Sequence, residues 1–303
     1  MKTTKNDIQQ WFQALQDDIC SGLEKLDGKA QFEEDLWQRE GGGGGRTRII
    51  QNGVLLEKGG VNFSAVYGET PAAVQQAMNL PPSNFFASGV SIVIHPISPM
   101  VPIIHMNVRY FEIDDNLWWF GGGIDLTPHY VMPELAQAFH RGLKSVCNEY
   151  QLNAYSRFKE WADDYFYIKH RQETRGIGGI FFDNLNETSE KTAKNNIWEF
   201  VQAVGNAFVP LYQEQCEATR NLPYGDKEKN WQALRRGRYV EFNLVLDRGT
   251  KFGLDTNGRT ESILMSLPAT AAWQYKYTPQ ADSAEAFTQQ YLRKGIDWLG
   301  ITP

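Results

Sequence analysis

Cysteine and histidine are both scarce in this 303-residue chain. Cys20, Cys147 and Cys216 are odd in number and far apart. No disulfide framework or CxxC metal site follows from that scatter, and a cysteine-ligated iron–sulfur cluster is excluded. A reducing, cytoplasmic setting is the expectation. The five histidines, His95, His105, His129, His140 and His170, form no HExxH or other local zinc signature. Neither "GGGGG" at 41–45 nor "GGG" at 121–123 sits in a strand–GxGxxG–helix frame, and no GxxxxGK[ST] loop exists. A nucleotide- or nicotinamide-dependent enzyme is therefore not expected. No apolar run near the N-terminus is long enough for a signal peptide or membrane span. Positive charge is in deficit: the net charge is −6 and the pI about 5.5. Nothing invites nucleic acid or an anionic membrane, and an anionic ligand would need arginine concentrated locally.

What is present is an ordinary globular composition, 42% hydrophobic and 22% charged. Ile8, Trp11, Phe12, Leu15, Ile19, Leu23 and Leu26 recur at helical spacing, which predicts an amphipathic helix over about residues 6–27. The five-glycine run reads either as a flexible joint or as a site-lining loop. The Asn52-Gly53 pair behind it predicts a two-residue hairpin turn. "GVSIVIHP" alternates, with Val90, Ile92 and Ile94 on one face and Ser91, Val93 and His95 on the other. "IIHMNVRYF" likewise separates His105, Asn107 and Arg109 from Met106, Val108 and Tyr110. The short connection between them suggests an antiparallel pair. Its polar face would be too rich in polarity for a core and is read as facing a ligand. "RGRYVEFNLVLDRG" reads as a further alternating strand, and "TNGRTESILMSLP" places Arg259 between a turn and an apolar strand. Helical patterns at 133–150, 156–170, 196–212 and 283–299 separate or follow the strands. That order argues for α+β with an antiparallel sheet, not a βαβ alternation.

Three features carry chemistry, each with a plain alternative. Arg109 precedes Asp114 and Asp115 and could form a surface salt bridge; the alternation instead groups it with Asn107 and His105. Arg259 could be a turn arginine in solvent. If both face one pocket, they suit carboxylates, which guanidinium binds bidentately. Asp125 lies in "WWFGGGIDLTPHY" and could simply cap a strand end. Alternatively it is a carboxylate desolvated by the aromatic segment 118–120, with its pKa raised and ready for proton transfer. His95 and His105 on one face raise the prospect of a shared site.

The segments "EGGGGGRTRII", "GVNFSAVYG", "HMNVRYF", "GGGIDLTPHY", "YFYIKHRQETRGIGGIFFDNL" and "RRGRYVEFNLVLDRGTKFGL…GRTESILMSLP" together resemble the oxygen-dependent coproporphyrinogen-III oxidases of bacterial type. The departures are few: Ala65 where many members carry histidine, Asn184 for a usual aspartate and Asn257 for a usual glycine. The resemblance implies one domain over residues 1–303, a large antiparallel sheet flanked by helices on both sides, and a cytoplasmic homodimer supported by about residues 239–274. It implies coproporphyrinogen III as substrate, whose ring A and B propionates become vinyls with O2 as co-substrate, and no organic cofactor. By motif, Ser91, Asn107, Val108, Arg109, Asn257, Gly258 and Arg259 become substrate contacts, and His105 the proton donor. His95, His105, His140 and His170 become ligands of a divalent metal, although an all-imidazole set suits zinc, copper or iron best. The chemistry of the substrate agrees in kind: a porphyrinogen has inward N–H groups and anionic arms. Asp125 is expected to accept from those N–H groups and Arg109 to anchor the reacting propionate. A non-catalytic tetrapyrrole carrier is the rival reading; it would need the arginines and glycines but not Asp125.

Overall fold

Strands that alternate apolar and polar residues must cover one face, and here the N-terminal helix and a long helix at Lys194–Thr219 do so. The computed structural model describes residues 3–70, 75–76, 79, 81–114, 117–150, 154–255 and 258–301, with the Phe252 side chain excepted. Asn257 lies outside the described residues. In chain order the chain forms α1 (Lys5–Asp27), β1 (Glu33–Gln38), β2 (Gly43–Gln51), β3 (Leu56–Glu69), β4 (Asn84–Pro96), β5 (Ile103–Ile113) and β6 (Leu117–Thr127). Then come α2 (Pro133–Glu149), α3 (Tyr155–Tyr165), β7 (Tyr167–Ile168), β8 (Glu173–Thr174) and β9 (Gly178–Leu185). The rest is helical: α4 (Glu187–Glu190), α5 (Lys194–Thr219), α6 (Asp226–Glu241), a π-helix (Phe242–Leu246), α7 (Arg248–Asp255), α8 (Thr260–Leu264) and α9 (Ala284–Tyr291).

The main sheet has seven strands in the order β1-β2-β3-β4-β5-β6-β9, every pair antiparallel. Its inner face carries Val90, Ile92, Ile94, Met106, Val108 and Ile124, all inaccessible to solvent. They share one core with Phe12, Leu15 and Ile19 of α1 and with Phe200, Val204 and Phe208 of α5. Gly205 lets α1 and α5 close together, since a Cβ there would meet the Trp11 ring at 2.8 Å. The α+β architecture and the β4–β5 pairing follow the alternation read from the sequence.

Several expectations are corrected. Of the two readings of the glycine run, the tether fails: Gly41 and Gly42 form a turn, Gly43 pairs with β3, and Gly44 and Gly45 pair with both β1 and β3. Asn52-Gly53 does turn the chain, with Asn52 at φ 57°, but residues 52–55 link β2 to β3 instead of two. The segment "RGRYVEFNLVLDRG" is helical. Its buried residues Arg236, Tyr239 and Phe242 recur every three positions, which an alternating reading overlooks. The segment after Arg259 is likewise the short helix α8 and not a strand. These helices cover part of the sheet's second face. Ser262 bonds Thr47 and Asn62 there, and Met265 sits where a Cβ of Gly60 would be.

Candidate active site

The register of the sheet builds the site. On the second face one row runs straight across the strands through Asp35, Thr47, Asn62, Ser91, Asn107 and Gly123. A neighbouring row runs through Gly60, Val93, His105 and Asp125. The other neighbour runs through Trp37, Gly45, Ser64, Gly89, Arg109 and Gly121. Period-two geometry makes each row share a face. Ser91, His105, Asn107 and Arg109 are therefore brought together, as the alternation predicted, and the register adds Asp125 to them. The glycines of the third row and Gly123 leave bare backbone beside Arg109 and Asn107. A Cβ on Gly121 would lie 2.8 Å from the Arg109 Nε, so the absence of a side chain is a requirement of packing.

Asp125 is 1% exposed and does not lie open on this face. Its Oδ1 accepts from His105 Nδ1 at 2.8 Å, and both its oxygens accept from Arg175 Nη2, at 2.8 and 2.9 Å. Arg175 Nη1 donates to Asn243 Oδ1 at 3.0 Å. The rings of Phe166, Tyr239 and Phe242 surround the Arg175 guanidinium, with centroids 4.4, 4.6 and 4.6 Å from it. Burial by itself pushes the Asp125 carboxyl upward, but the Arg175 charge and the His105 hydrogen bond outweigh it and hold the pKa below the usual carboxylate range. The raised pKa expected from the sequence is thus reversed, because desolvation was weighed without the buried cation. The carboxylate fixes the proton of His105 on Nδ1, leaving Nε2 for the open side, where the imidazole is 22% exposed.

Arg109 stands at the margin. Its Nη1 donates to Asn107 Oδ1 at 2.9 Å and its Nη2 pairs with Asp183 Oδ1 at 3.0 Å. The expected alternative partner Asp114 instead accepts from the Asn84 amide; Asp115 lies outside the described residues. Arg259, at the N-cap of α8, pairs with Asp35 of β1, and its Nη1 is buried without a partner among the described residues. Gly258 precedes it, with its amide donating to Gly253 O. Val108 turns its side chain into the inner core, so its main chain is what borders the site face.

The four histidines do not form one coordination set here. His140 is enclosed in the inner core: Nδ1 is bonded to Tyr155 Oη, Nε2 to Ile177 O, and the ring stacks on Trp298. Burial drives its pKa down to about 3. His95 is buried on the site face with Nε2 on Ser266 O, and His170 is exposed with Nε2 on Glu241. Among the described residues no three His, Cys, Asp or Glu side chains converge as metal ligands would. The reason is topological: the sheet separates His140 from His105, so the four positions carry separate bonds.

Sequence reasoning missed Arg175, Asp183, Asp35 and Asn62. Arg175 had a readable signal, a cation set in the glycine-rich, otherwise apolar "RGIGGIFF". The others are ordinary polar residues whose role comes from register alone.

A sheet face lined by glycines and small polar residues, with guanidinium groups at its margins and an imidazole backed by a buried acid, can hold an anionic molecule and exchange a proton with it. That equipment on an α+β scaffold defines the class. Residues 7–298 match the family described as coproporphyrinogen III oxidase, and the chain belongs to that family. It is a family of oxidoreductases with a role in haem biosynthesis. No helix among the described residues is long and apolar enough to cross a membrane.

Proposed function

We propose that this chain carries out the oxygen-dependent oxidative decarboxylation of coproporphyrinogen III. Each of two propionates, with one O2 and one proton, yields a vinyl group, carbon dioxide and hydrogen peroxide; the final product is protoporphyrinogen IX. Family membership supports the substrate, and the site geometry supports the assignment of roles. The observation that carries it is the chain His105–Asp125–Arg175, bonded at 2.8 Å at each link.

In this reading the macrocycle lies on the glycine-floored rows between Trp37 and Arg109, with Asn107 and Ser91 beneath it. Arg109 anchors the reacting propionate, and Arg259 another arm, through charge-assisted hydrogen bonds. The sequence-based idea that Asp125 itself meets the pyrrole N–H groups is modified, because its oxygens are engaged. His105 Nε2 exchanges the proton, and Asp125 holds the tautomer and stabilises the imidazolium that forms. Arg175 keeps Asp125 ionised throughout. No step is assigned to a divalent cation. The protein acts as a cytoplasmic homodimer.

The test is Asp125→Asn, assayed by oxygen uptake and vinyl product on reduced coproporphyrinogen III. A loss of roughly 10²–10⁴ in kcat is expected for a general acid–base unit that has lost its fixed tautomer. Unchanged kcat in this variant would overturn the assignment. Binding without oxygen uptake by the wild type would favour the carrier reading instead.

A further inference from the structure

The ion pairs on the site face fall into two kinds. Asp125 and Arg175 are 1% and 3% exposed and are joined through both carboxylate oxygens; that pair is a permanent part of the fold. Two further pairs sit at the rims. Arg259 is held by Asp35, whose side chain is 54% exposed, and Arg109 by Asp183, which is 29% exposed. The two arginines proposed to receive substrate carboxylates are therefore each in contact with a carboxylate of the chain itself.

We propose that Asp35 and Asp183 are exchangeable stand-ins for the substrate's carboxylates: they hold Arg259 and Arg109 in place and are displaced when the anionic arms arrive. The inference rests on the functional reading above and deepens it by naming residues that set affinity.

Position supports it first. Asp35 belongs to the same cross-strand row as Ser91 and Asn107, so its side chain projects from the site face and not from the inner core. It reaches Arg259 from a different part of the chain, so the pair is tertiary and forms directly over the sheet. Asp183 stands beside the bare Gly121: a Cβ there would lie 2.5 Å from Asp183 Oδ1, so the missing side chain makes room for this carboxylate against Arg109.

Chemistry supports it second. A partly exposed ion pair contributes little, because water solvates both partners nearly as well. An incoming propionate presents the same two oxygens, arrives with the rest of a large ligand, and sheds water as it binds. Among the described residues Arg259 Nη1 is buried without a partner while Asp35 is engaged. A carboxylate placed differently from Asp35 could satisfy that donor, so exchange gains a bond. Until then the stand-ins keep two guanidinium forks oriented and neutralised, which spares the substrate the entropy of ordering them. They also make the rim less attractive to small anions than free arginines would be.

The experiment measures the Kd of coproporphyrin III, the oxidised and unreactive analogue, by fluorescence, and KM and kcat with coproporphyrinogen III. The proteins are the full-length wild type, Asp35→Asn, Asp183→Asn, Arg259→Gln and the double variant Asp35→Asn with Arg259→Gln. Asp18→Asn, an exposed acid on α1 at the other face, controls for the change in net charge. Asp35→Asn is expected to tighten Kd and lower KM by about two- to five-fold, the competing strength of an exposed pair. Asp183→Asn should also tighten Kd, and the gain from Asp35→Asn should vanish when Arg259 is Gln. Weaker or unchanged binding by Asp35→Asn, a gain that persists without Arg259, or an equal gain from Asp18→Asn would each overturn the proposal. Such results leave the functional reading intact as long as the wild type turns over the substrate. A wild type that neither binds nor consumes it would sink both.

Discussion

At the scale of single residues, Asp125 shows how one partner reverses a sign. Desolvation disfavours a carboxylate, yet the Arg175 charge beside it lowers the pKa. A depressed folded pKa means that Asp125 contributes stability above the ordinary carboxylate range, and that this contribution is lost as pH falls through the lower, folded value. Removing the acid alone strands the Arg175 cation among Phe166, Tyr239 and Phe242. Asp125→Ala is expected to cost about 3–5 kcal/mol in denaturant unfolding. Pairing it with Arg175→Met should recover much of that stability while leaving the protein inactive. If the single variant unfolds like the wild type, the pair is not the buried unit described.

At the scale of elements, the β2–β3 connection shows a local signal overruled by a distant one. Asn52-Gly53 marks a turn correctly, but Asp27 at the end of α1 sets its length. The Asp27 carboxylate accepts from the amides of Lys29, Ala30, Val54, Leu55 and Leu56 and so ties helix to hairpin. Gly53 must stay bare, because a Cβ there would lie 2.1 Å from Asp27 Oδ2. Asp27→Ala strands buried amides at 55 and 56 and is expected to destabilise by roughly 2–4 kcal/mol. Its calorimetric Tm should fall well below that of Asp18→Asn, whose site is exposed. The misread segment around Tyr239 belongs to the same scale. Alternation and helical spacing coincide over short apolar runs, and only the sheet beneath decides which face must be buried.

At the scale of the whole molecule, the π-helix and the residues C-terminal to it present apolar surface outward. The wider turn of Phe242–Leu246 buries Phe242 and Asn243 beside Arg175 and leaves Leu244 and Val245 exposed. Leu254 and Trp273 are exposed in the same stretch of sequence, and Tyr275 just beyond it. Exposed side chains of this kind within residues 239–274 are what a homodimer would cover. If the proposed homodimer forms through this surface, Val245→Asp is expected to shift it to monomer in sedimentation velocity, with little change in far-ultraviolet circular dichroism. A dimer of wild-type affinity in that variant would place the interface elsewhere. The segment also supplies Tyr239, Phe242 and Asn243 to the Arg175 site, so loss of the dimer is expected to lower activity too.

By itself, the sequence determined what local periodicity and short motifs can encode: the amphipathic first helix, the alternating strands β4 and β5, the face shared by His105, Asn107 and Arg109, and the glycines that leave backbone bare. Side-chain period and Cβ size are properties of neighbours along the chain, so no fold is needed to read them. Only the tertiary structure decided that Asp125 meets Arg175, that Asp35 and Asp183 hold the rim arginines, and that His140 lies behind the sheet from His105. Those facts depend on strand register and on which helix covers which face. Both are set by packing between segments far apart in the chain, where no local spacing carries the information.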